Sequence, residues 1–408
     1  MDTLNERPLR VLAADDSAVM RSILWKLFLM HAKDRPNDLP RMELCGIARD
    51  GVECLEQVRQ LNPDVLVLDL EMPRLNGLDV LDRLRVENPE LPVIMCSAYT
   101  EHGARSTLEA LARGASDYVM KLSEQRDFAA AMESLAQQLL PRIAALAKET
   151  RDAGERAFLD AADGGSLKAR SAEPVTNDSP PIEVVVIGLS TGGPSALEQL
   201  LPKLPKDFPV PVLIVQHMPK LFTGALAERL DKCCPLRVQE AYDNAPIRPG
   251  TVWLAPGDAH MEVAPRHAMG DEDRGMEGRS SRVRLHRQEP LNHCRPSVDY
   301  LFFSAARMYG AGTLALVMTG MGADGLNGAR AVHESGGVVF AQDEATSAVW
   351  GMPGRVSASG IANATLPLWG IAGAVRQRIG AGRPARLEAV NNIVSAMVSR
   401  REVTHGLL

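Results

Sequence analysis

The sequence predicts an α/β protein: two doubly wound parallel-sheet domains in tandem, joined by a linker. Two observations carry this. Short apolar runs rich in β-branched residues alternate with stretches of helical period, first over residues 9–121 and again over 182–343. That alternation specifies parallel sheets with helices on both faces. Between the two series lies "DGGSLKARSAEPVTNDSPP", 163–181, with no apolar period and an excess of Gly, Ser, Pro and charge. It cannot bury enough apolar surface to fold.

In the first series the runs are "LRVLAAD", "MELCGIA", "VLVLDL", "PVIMCSA" and "DYVMK", so the sheet is expected to have five strands. The near-continuous hydrophobicity of "VLVLDL" suits a central strand covered on both faces. Helical periods fill the gaps, as in "SAVMRSILWKLFLMH", "GVECLEQVRQL" and "GLDVLDRLRVEN". This first domain is assigned to 8–140 and the linker to 141–181, whose opening "PRIAALAKETRDAGERAFLDAA" reads as one more exposed helix. The second domain, 182–380, is marked by "IEVVVIG", "PVLIVQH", "TVWLAPG", "TLALVMTG" and "GVVFAQD". Residues 264–285 read as a hairpin with a long charged tip, and 381–408 as a helix and frayed tail. No repeat of 20–50 residues is visible.

Composition narrows the function class. The chain has 408 residues, 45% hydrophobic and 24% charged, with a net charge of −6, which gives no electrostatic reason to expect nucleic acid as a partner. The cysteines Cys45, Cys54, Cys96, Cys233, Cys234 and Cys294 show no Cys-x-x-Cys spacing, as expected of a reduced chain. The opening "MDTLNERPLRVLAAD" has no apolar signal region, and no apolar run approaches the ~18 residues a membrane helix needs. A soluble, cytoplasmic, monomeric protein without membrane insertion is expected.

In the first domain, acidic residues close two apolar runs: Asp15 and Asp16 after "VLAA", and Asp69 in "VLVLDL". Sites in open parallel sheets form at the carboxyl ends of strands, so these side chains should converge. Ser97 and Lys121 end the next two runs and add a hydroxyl and an ammonium to the same rim. Clustered carboxylates repel unless a cation joins them, and an all-oxygen set suits Mg²⁺. The lysine and the hydroxyl suit a phosphoryl group on Asp69. Each aspartate taken singly could instead cap a helix; five such groups at successive strand ends argue for a site. At "DD…LDLEMPRLNGLDVL…SAY…K" the stretch resembles the receiver domain of bacterial two-component response regulators, which has a flavodoxin-like fold. The resemblance implies that Asp69 accepts phosphate from a histidine kinase. It further implies that Asp16, Asp69 and the backbone carbonyl of Glu71 hold Mg²⁺ with Asp15 nearby, and that Ser97 and Lys121 sense the phosphate. Two departures stand out: Leu122 replaces the usual proline after the lysine, and "HAKDRPNDLPR", 31–41, is a long helix-to-strand connection.

In the second domain "GLSTG", 188–192, matches Gly-x-Ser-x-Gly between a strand and a helix. That context either exposes a nucleophilic Ser190 or is an ordinary tight turn. A serine needs a base, and the next strand ends in His217. A third group, Asp324, follows the strand "TLALVMTG". The order Ser190, His217, Asp324 is not that of α/β-hydrolases, but geometry rather than order defines a triad. A rival uses the same segment: "GMGADG", 320–325, matches G-x-G-x-x-G, and Asp343 follows, as in a dinucleotide site. It does not open its domain, and it leaves Ser190 and His217 without a role.

"GLSTGGP", "QHMP", "APGDAHMEV", "HCRPSVDYLF", "TGMGADG" and "AQDEATSAVWGMPG" follow one another as in the catalytic domain of the chemotaxis protein-glutamate methylesterases, which this region resembles over about 182–380. The resemblance implies an esterase domain without a catalytic cofactor. It acts on glutamyl methyl esters of methyl-accepting chemotaxis receptors, and many members also deamidate receptor glutamines. In that mechanism Ser190 is the nucleophile, His217 the base and Asp324 its orienting partner, with oxyanion donors at the backbone of Thr191 and Met321. Arg295 is a candidate contact to receptor carboxylates, while Val298, Leu301 and Phe302 read as a helix packing face. A regulator that only tethers receptors is the alternative to an enzyme.

Overall fold

The computed structural model describes residues 7–33, 39–121, 128–163, 180–265 and 281–381. The first sheet contains β1 (Leu9–Ala14), β2 (Met42–Ala48), β3 (Val65–Asp69), β4 (Val93–Ser97) and β5 (Asp117–Met120) in the order β2-β1-β3-β4-β5, all parallel. The order reverses between β1 and β3, so the crevice of a doubly wound fold opens at their carboxyl ends. Helices α1 (Ala18–Lys33), α2 (Gly51–Leu61), α3 (Gly77–Glu87) and α4 (Glu101–Ala112) cross between the strands. Their starts follow local chemistry: the side chains of Asp50, Asn76 and Thr100 each accept a backbone N–H of the turn they open.

Helix α5 (Phe128–Asp163) corrects the expected linker. It continues through the first part of 141–181, and Ile143, Leu146 and Ala147 are buried against α1 and the sheet rather than exposed. They continue the stripe of Leu139 and Leu135, one turn and two turns before Ile143, so one apolar stripe extends the helix past residue 140. The tether 164–179, Leu122, residues 34–38, the hairpin tip 266–280 and the tail from 382 lie outside the described residues.

The second sheet has seven parallel strands in the order β14-β13-β12-β6-β7-β9-β8. They are β6 (Val184–Leu189), β7 (Val212–Gln216), β8 (Arg237–Glu240), β9 (Thr251–Leu254), β12 (Thr313–Val317), β13 (Val338–Gln342) and β14 (Ala364–Leu366). The two beyond the expected five, β8 and β14, are short outer strands, "RVQE" and "ATL", without an apolar run to reveal them. The hairpin is real: β10 (His260–Pro265) pairs antiparallel with β11 (Ser281–His286). Strand β6 is central, with β7 on one side and β12 on the other, so the chain winds outward from it in both directions. Ligands are expected where β6, β7 and β12 end. Helices α6 (Gly193–Leu200), α7 (Lys220–Cys233), α8 (Val298–Tyr309), α9 (Leu326–Glu334), α10 (Met352–Ala358) and α11 (Leu368–Ala381) cover the faces. Val298, Leu301 and Phe302 are fully buried, the packing face expected of α8.

The two sheets share a joint. Helix α4 lies against α6 and α7, and the ring of Tyr118 stacks on Phe222 with centroids 4.8 Å apart. Ser195 Oγ donates to Leu111 O at 3.0 Å, and Thr191 Oγ1 donates to Asp117 Oδ2 at 2.6 Å. Val349 is buried in the apolar cluster that contains β5 and α5, and Met321 packs against the same cluster.

Candidate active site and phosphorylation site

Ser190 follows β6 directly, on a turn held from both sides. Its N–H donates to Thr319 O at 3.0 Å, beyond β12, and its carbonyl accepts from Gln216 Nε2 at 2.8 Å, at the end of β7. Gly192 has φ +77°, a left-handed conformation costly for residues with a Cβ, and it lets α6 start at once. Gly320 passes so close that a Cβ there would lie 2.7 Å from Ser190 Cβ. Among the described residues, Ser190 Oγ and the N–H groups of Thr191 and Met321 have no hydrogen-bond partner.

His217 follows β7, and its N–H donates to Leu189 O at 3.0 Å. Its Nε2 lies 2.8 Å from Asp324 Oδ2. Asp324 is buried and accepts, besides His217, from Val298 N (2.7 Å), Ser297 Oγ (2.8 Å), Asn292 Nδ2 (2.8 Å), Gly325 N (3.1 Å) and Asp299 N (3.3 Å). It therefore satisfies the first N–H groups of α8 from another loop, and the helix terminus favours its negative charge. Burial opposes ionisation of both partners, but the contact outweighs it: hydrogen bonds to Asp324 and Cys294 hold His217 above its ordinary value. The same pairing, with the α8 donors, holds Asp324 below the ordinary carboxylate range. Cys294 Sγ is 3.6 Å from His217 Nδ1.

The structure thus brings Ser190, His217 and Asp324 to the ends of three adjacent strands. Arg295 is engaged elsewhere: its guanidinium pairs with Asp258 Oδ1 at 2.6 Å. Sequence reasoning missed Asn292, Ser297 and Cys294. Ser297 directly precedes the apolar period of α8, a usable signal for a helix-start hydroxyl; Asn292 and Cys294 sit in a loop with no periodicity to mark them.

In the first domain, Asp15 and Asp69 are buried at the ends of β1 and β3, and Lys121 Nζ reaches Asp69 Oδ2 at 2.6 Å and Asp15 Oδ2 at 3.1 Å. Neither carboxylate oxygen accepts a hydrogen bond of good geometry. Burial, then the charge of Asp15, pushes Asp69 up to about 6 against the pull of Lys121. Oxygens of Asp15, Asp16 and Asp69 lie within 4.8 Å of one another, and Asp16, Asp69, Glu71 and Lys121 line one pocket. Three clustered carboxylates facing a single lysine, in an all-oxygen set, fit a hard divalent cation such as Mg²⁺. Ser97 is engaged beside this pocket: its hydroxyl donates to Gly103 O in α4 at 3.2 Å.

A family model for the CheB methylesterase matches residues 185–375, and one for the response regulator receiver domain matches residues 11–133. A protein-glutamate methylesterase/protein-glutamine glutaminase of Nocardioides sp. is 41% identical over 384 residues, which cover 93% of this chain and 98% of that one. This chain belongs to the protein-glutamate methylesterase/protein-glutamine glutaminase family. A relative of the same name from Trichodesmium erythraeum is 39% identical and covers 91% of this chain and 99% of its own. Among solved structures, the Thermotoga maritima CheB methylesterase catalytic domain is 40% identical and covers 49% of this chain and 98% of its own, with a TM-score of 0.44. The two family matches give the receiver domain and the methylesterase domain as the two units the sequence led us to expect, and both sheets are doubly wound. Among the described residues, no helix is long and apolar enough to cross a membrane.

Proposed function

We propose that this chain is a phosphorylation-activated hydrolase that demethylates glutamyl methyl esters, and deamidates glutamines, on methyl-accepting chemotaxis receptors during sensory adaptation. The observation that carries the reading is the meeting of Ser190, His217 and Asp324 at neighbouring strand ends beside unpaired N–H groups. His217 Nε2 is committed to Asp324, which leaves Nδ1 to receive the Ser190 proton. The Ser190–His217 hydrogen bond is absent from the resting arrangement and forms with substrate, as catalytic contacts often do. Ser190 Oγ attacks the ester carbonyl while its proton passes to Nδ1. The N–H groups of Thr191 and Met321 stabilise the oxyanion, each such donor typically worth ~3 kcal/mol of barrier. The imidazolium, favoured by Asp324, returns the proton to departing methanol, or to ammonia in deamidation. Water then attacks the glutamyl-enzyme with His217 as base, leaving a receptor carboxylate and free Ser190.

In the docked arrangement the receiver covers this rim through Asp117–Thr191 and the packing of Met321 and Val349. A histidine kinase would supply the phosphoryl group to Asp69. Asp15, Asp16, Asp69 and the Glu71 carbonyl would hold Mg²⁺, which supplies charge neutralisation for the incoming phosphate. Lys121 then pairs with the phosphoryl oxygens, and Ser97 exchanges its bond to Gly103 O for one of them. That exchange loosens α4, the helix seated on α6 and α7. Moving a 1:99 equilibrium to 99:1 takes about 5.5 kcal/mol.

The experiment is methanol release from methylated receptor membranes, with and without acetyl phosphate and Mg²⁺, for wild type, Ser190→Ala and Asp69→Ala. The reading expects release that needs Ser190 and rises with phosphodonor only when Asp69 is present. Retained receptor binding without release from any protein would sink it in favour of a tether.

A further inference from the structure

The mechanism leaves one group at the reactive imidazole unused. Cys294 lies between β11 and α8, fixed by reciprocal backbone hydrogen bonds with Leu291 at 2.9 and 3.2 Å. Its Sγ lies 3.6 Å from His217 Nδ1, while His217 Nε2 is tied to Asp324. A metal-binding histidine has this arrangement, with one nitrogen toward the ion and the other donating to a carboxylate. The distance fits as well: a tetrahedral ion ~2.3 Å from a thiolate sulfur and ~2.05 Å from an imidazole nitrogen holds those atoms ~3.6 Å apart. Ligand atoms of His217, Cys294 and Asp324 fall within 4.8 Å of one another. Asp324 is nevertheless not a ligand, because its oxygens already accept six hydrogen bonds. It is the carboxylate that orients the ring.

We propose that His217 Nδ1 and Cys294 Sγ form a Zn²⁺ site, completed by water, and that the bound ion silences the esterase. The mixed sulfur and nitrogen pair selects a borderline-soft ion over Mg²⁺. Binding forms the Zn–S bond as the thiol proton leaves to solvent, and the Zn–N bond through the Nδ1 lone pair, any proton on Nδ1 also leaving to solvent, with Nε2–H kept on Asp324. No electron changes hands. The occupied lone pair is the one that takes the Ser190 proton, so ion and catalysis exclude each other. With only two protein ligands the site is reversible rather than structural. The inhibitory half rests on His217 as the base; the binding half does not.

The test uses the full-length chain with Co²⁺ as a coloured substitute for zinc, in a Cys233→Ser/Cys234→Ser background. Those adjacent thiols, 3.8 Å apart, are a sulfur pair that would take up the metal themselves. The expected result is a thiolate-to-cobalt charge-transfer band that Zn²⁺ abolishes. The band should be lost in both Cys294→Ser and Cys294→Ala with circular dichroism unchanged. Methanol release should fall with zinc over the same concentrations and return on chelation. Cys294→Ser, referred to its own zinc-free rate, should keep that rate at zinc levels that silence the parent. No band in the parent, or a band that survives both Cys294 variants, overturns the site. Zinc inhibition undiminished in Cys294→Ser overturns the inhibitory half. A chain that releases no methanol at all refutes the proposed function, while the cobalt band still decides the site.

Discussion

Thr191 Oγ1 donates to Asp117 Oδ2 at 2.6 Å, joining the residue after the proposed nucleophile to the first residue of the last receiver strand. Asp117 Oδ2 also accepts from Arg142 Nε at 3.0 Å. The aspartate therefore keeps a charge partner inside the receiver whether or not the domains touch, and separation removes one hydroxyl hydrogen bond without stranding an ion.

Thr191→Val keeps the backbone N–H and the β-branched shape but deletes that bond. A hydrogen bond to a charged group is worth about 1.5–3 kcal/mol. Methanol release without phosphodonor should rise about tenfold or more, with a correspondingly smaller response to acetyl phosphate. An unchanged basal rate would mean that this contact does not hold the domains together.

Gly320→Ala places a methyl 2.7 Å from Ser190 Cβ, on a turn fixed on both sides. The serine must shift, and misplacement of a reacting atom by about 1 Å can cost ~10²-fold. We expect kcat to fall on that scale while circular dichroism and receptor binding stay as in wild type.

His217 is held above its ordinary value near 6.5 by its contacts. Its contribution to stability is therefore complete below about 6.5 and fades as pH rises through the higher folded value. Asp324 is held below its ordinary 3.8 and contributes above that pH, fading as pH falls. The stability gap between wild type and Asp324→Asn should be widest between about 4 and 6.5 and narrow in alkali, read by denaturant melts across pH. Because the base must be neutral at Nδ1, methanol release should climb with pH above 6.5. The nuclear magnetic resonance titration of the His217 ring should move downward in Asp324→Asn; an unmoved titration would deny that Asp324 sets it.

Asp69 and Asp15 are buried together around a single lysine, and Asp69 is pushed up to about 6. Ionising Asp69 between about pH 4 and 6 thus weakens the folded receiver, and Asp69→Asn should be more stable at pH 7 by about 1–3 kcal/mol in the presence of chelator. Mg²⁺ should raise the melting temperature of wild type and barely move that of the variant. Equal magnesium shifts in both would remove Asp69 from the cation site.

Much of this is legible in the sequence. The apolar runs fix the inner strands, because a strand buried on both faces has to be apolar throughout, and the groups at their carboxyl ends then fall on one rim. Asp15, Asp69, Lys121, Ser190, His217 and Asp324 all lie at or just beyond such strand ends. What escaped has no periodic signature. The outer strands β8 and β14 are short and polar. The length of α5 depends on Ile143 and Leu146 finding a groove beside α1. Asn292, Ser297 and Cys294 converge on His217 and Asp324 through tertiary folding of a loop. The hydroxyl of Ser97, turned toward Gly103, was legible as a residue but not as an orientation.

Asp324 has a second consequence, for how such a domain decays. Its carboxylate gathers two backbone N–H groups at the start of α8 and that of Gly325, along with Asn292 and Ser297, so its loss strands several buried donors as well as the imidazole. Among the described residues, Ser190 Oγ holds nothing together. A gene copy released from selection for catalysis could shed the serine at little cost to folding, whereas the aspartate would stay under purifying pressure as a keystone. In descendants of such a copy, an intact Asp324 would record only that the domain still folds, and the fate of Ser190 would record whether it still cuts.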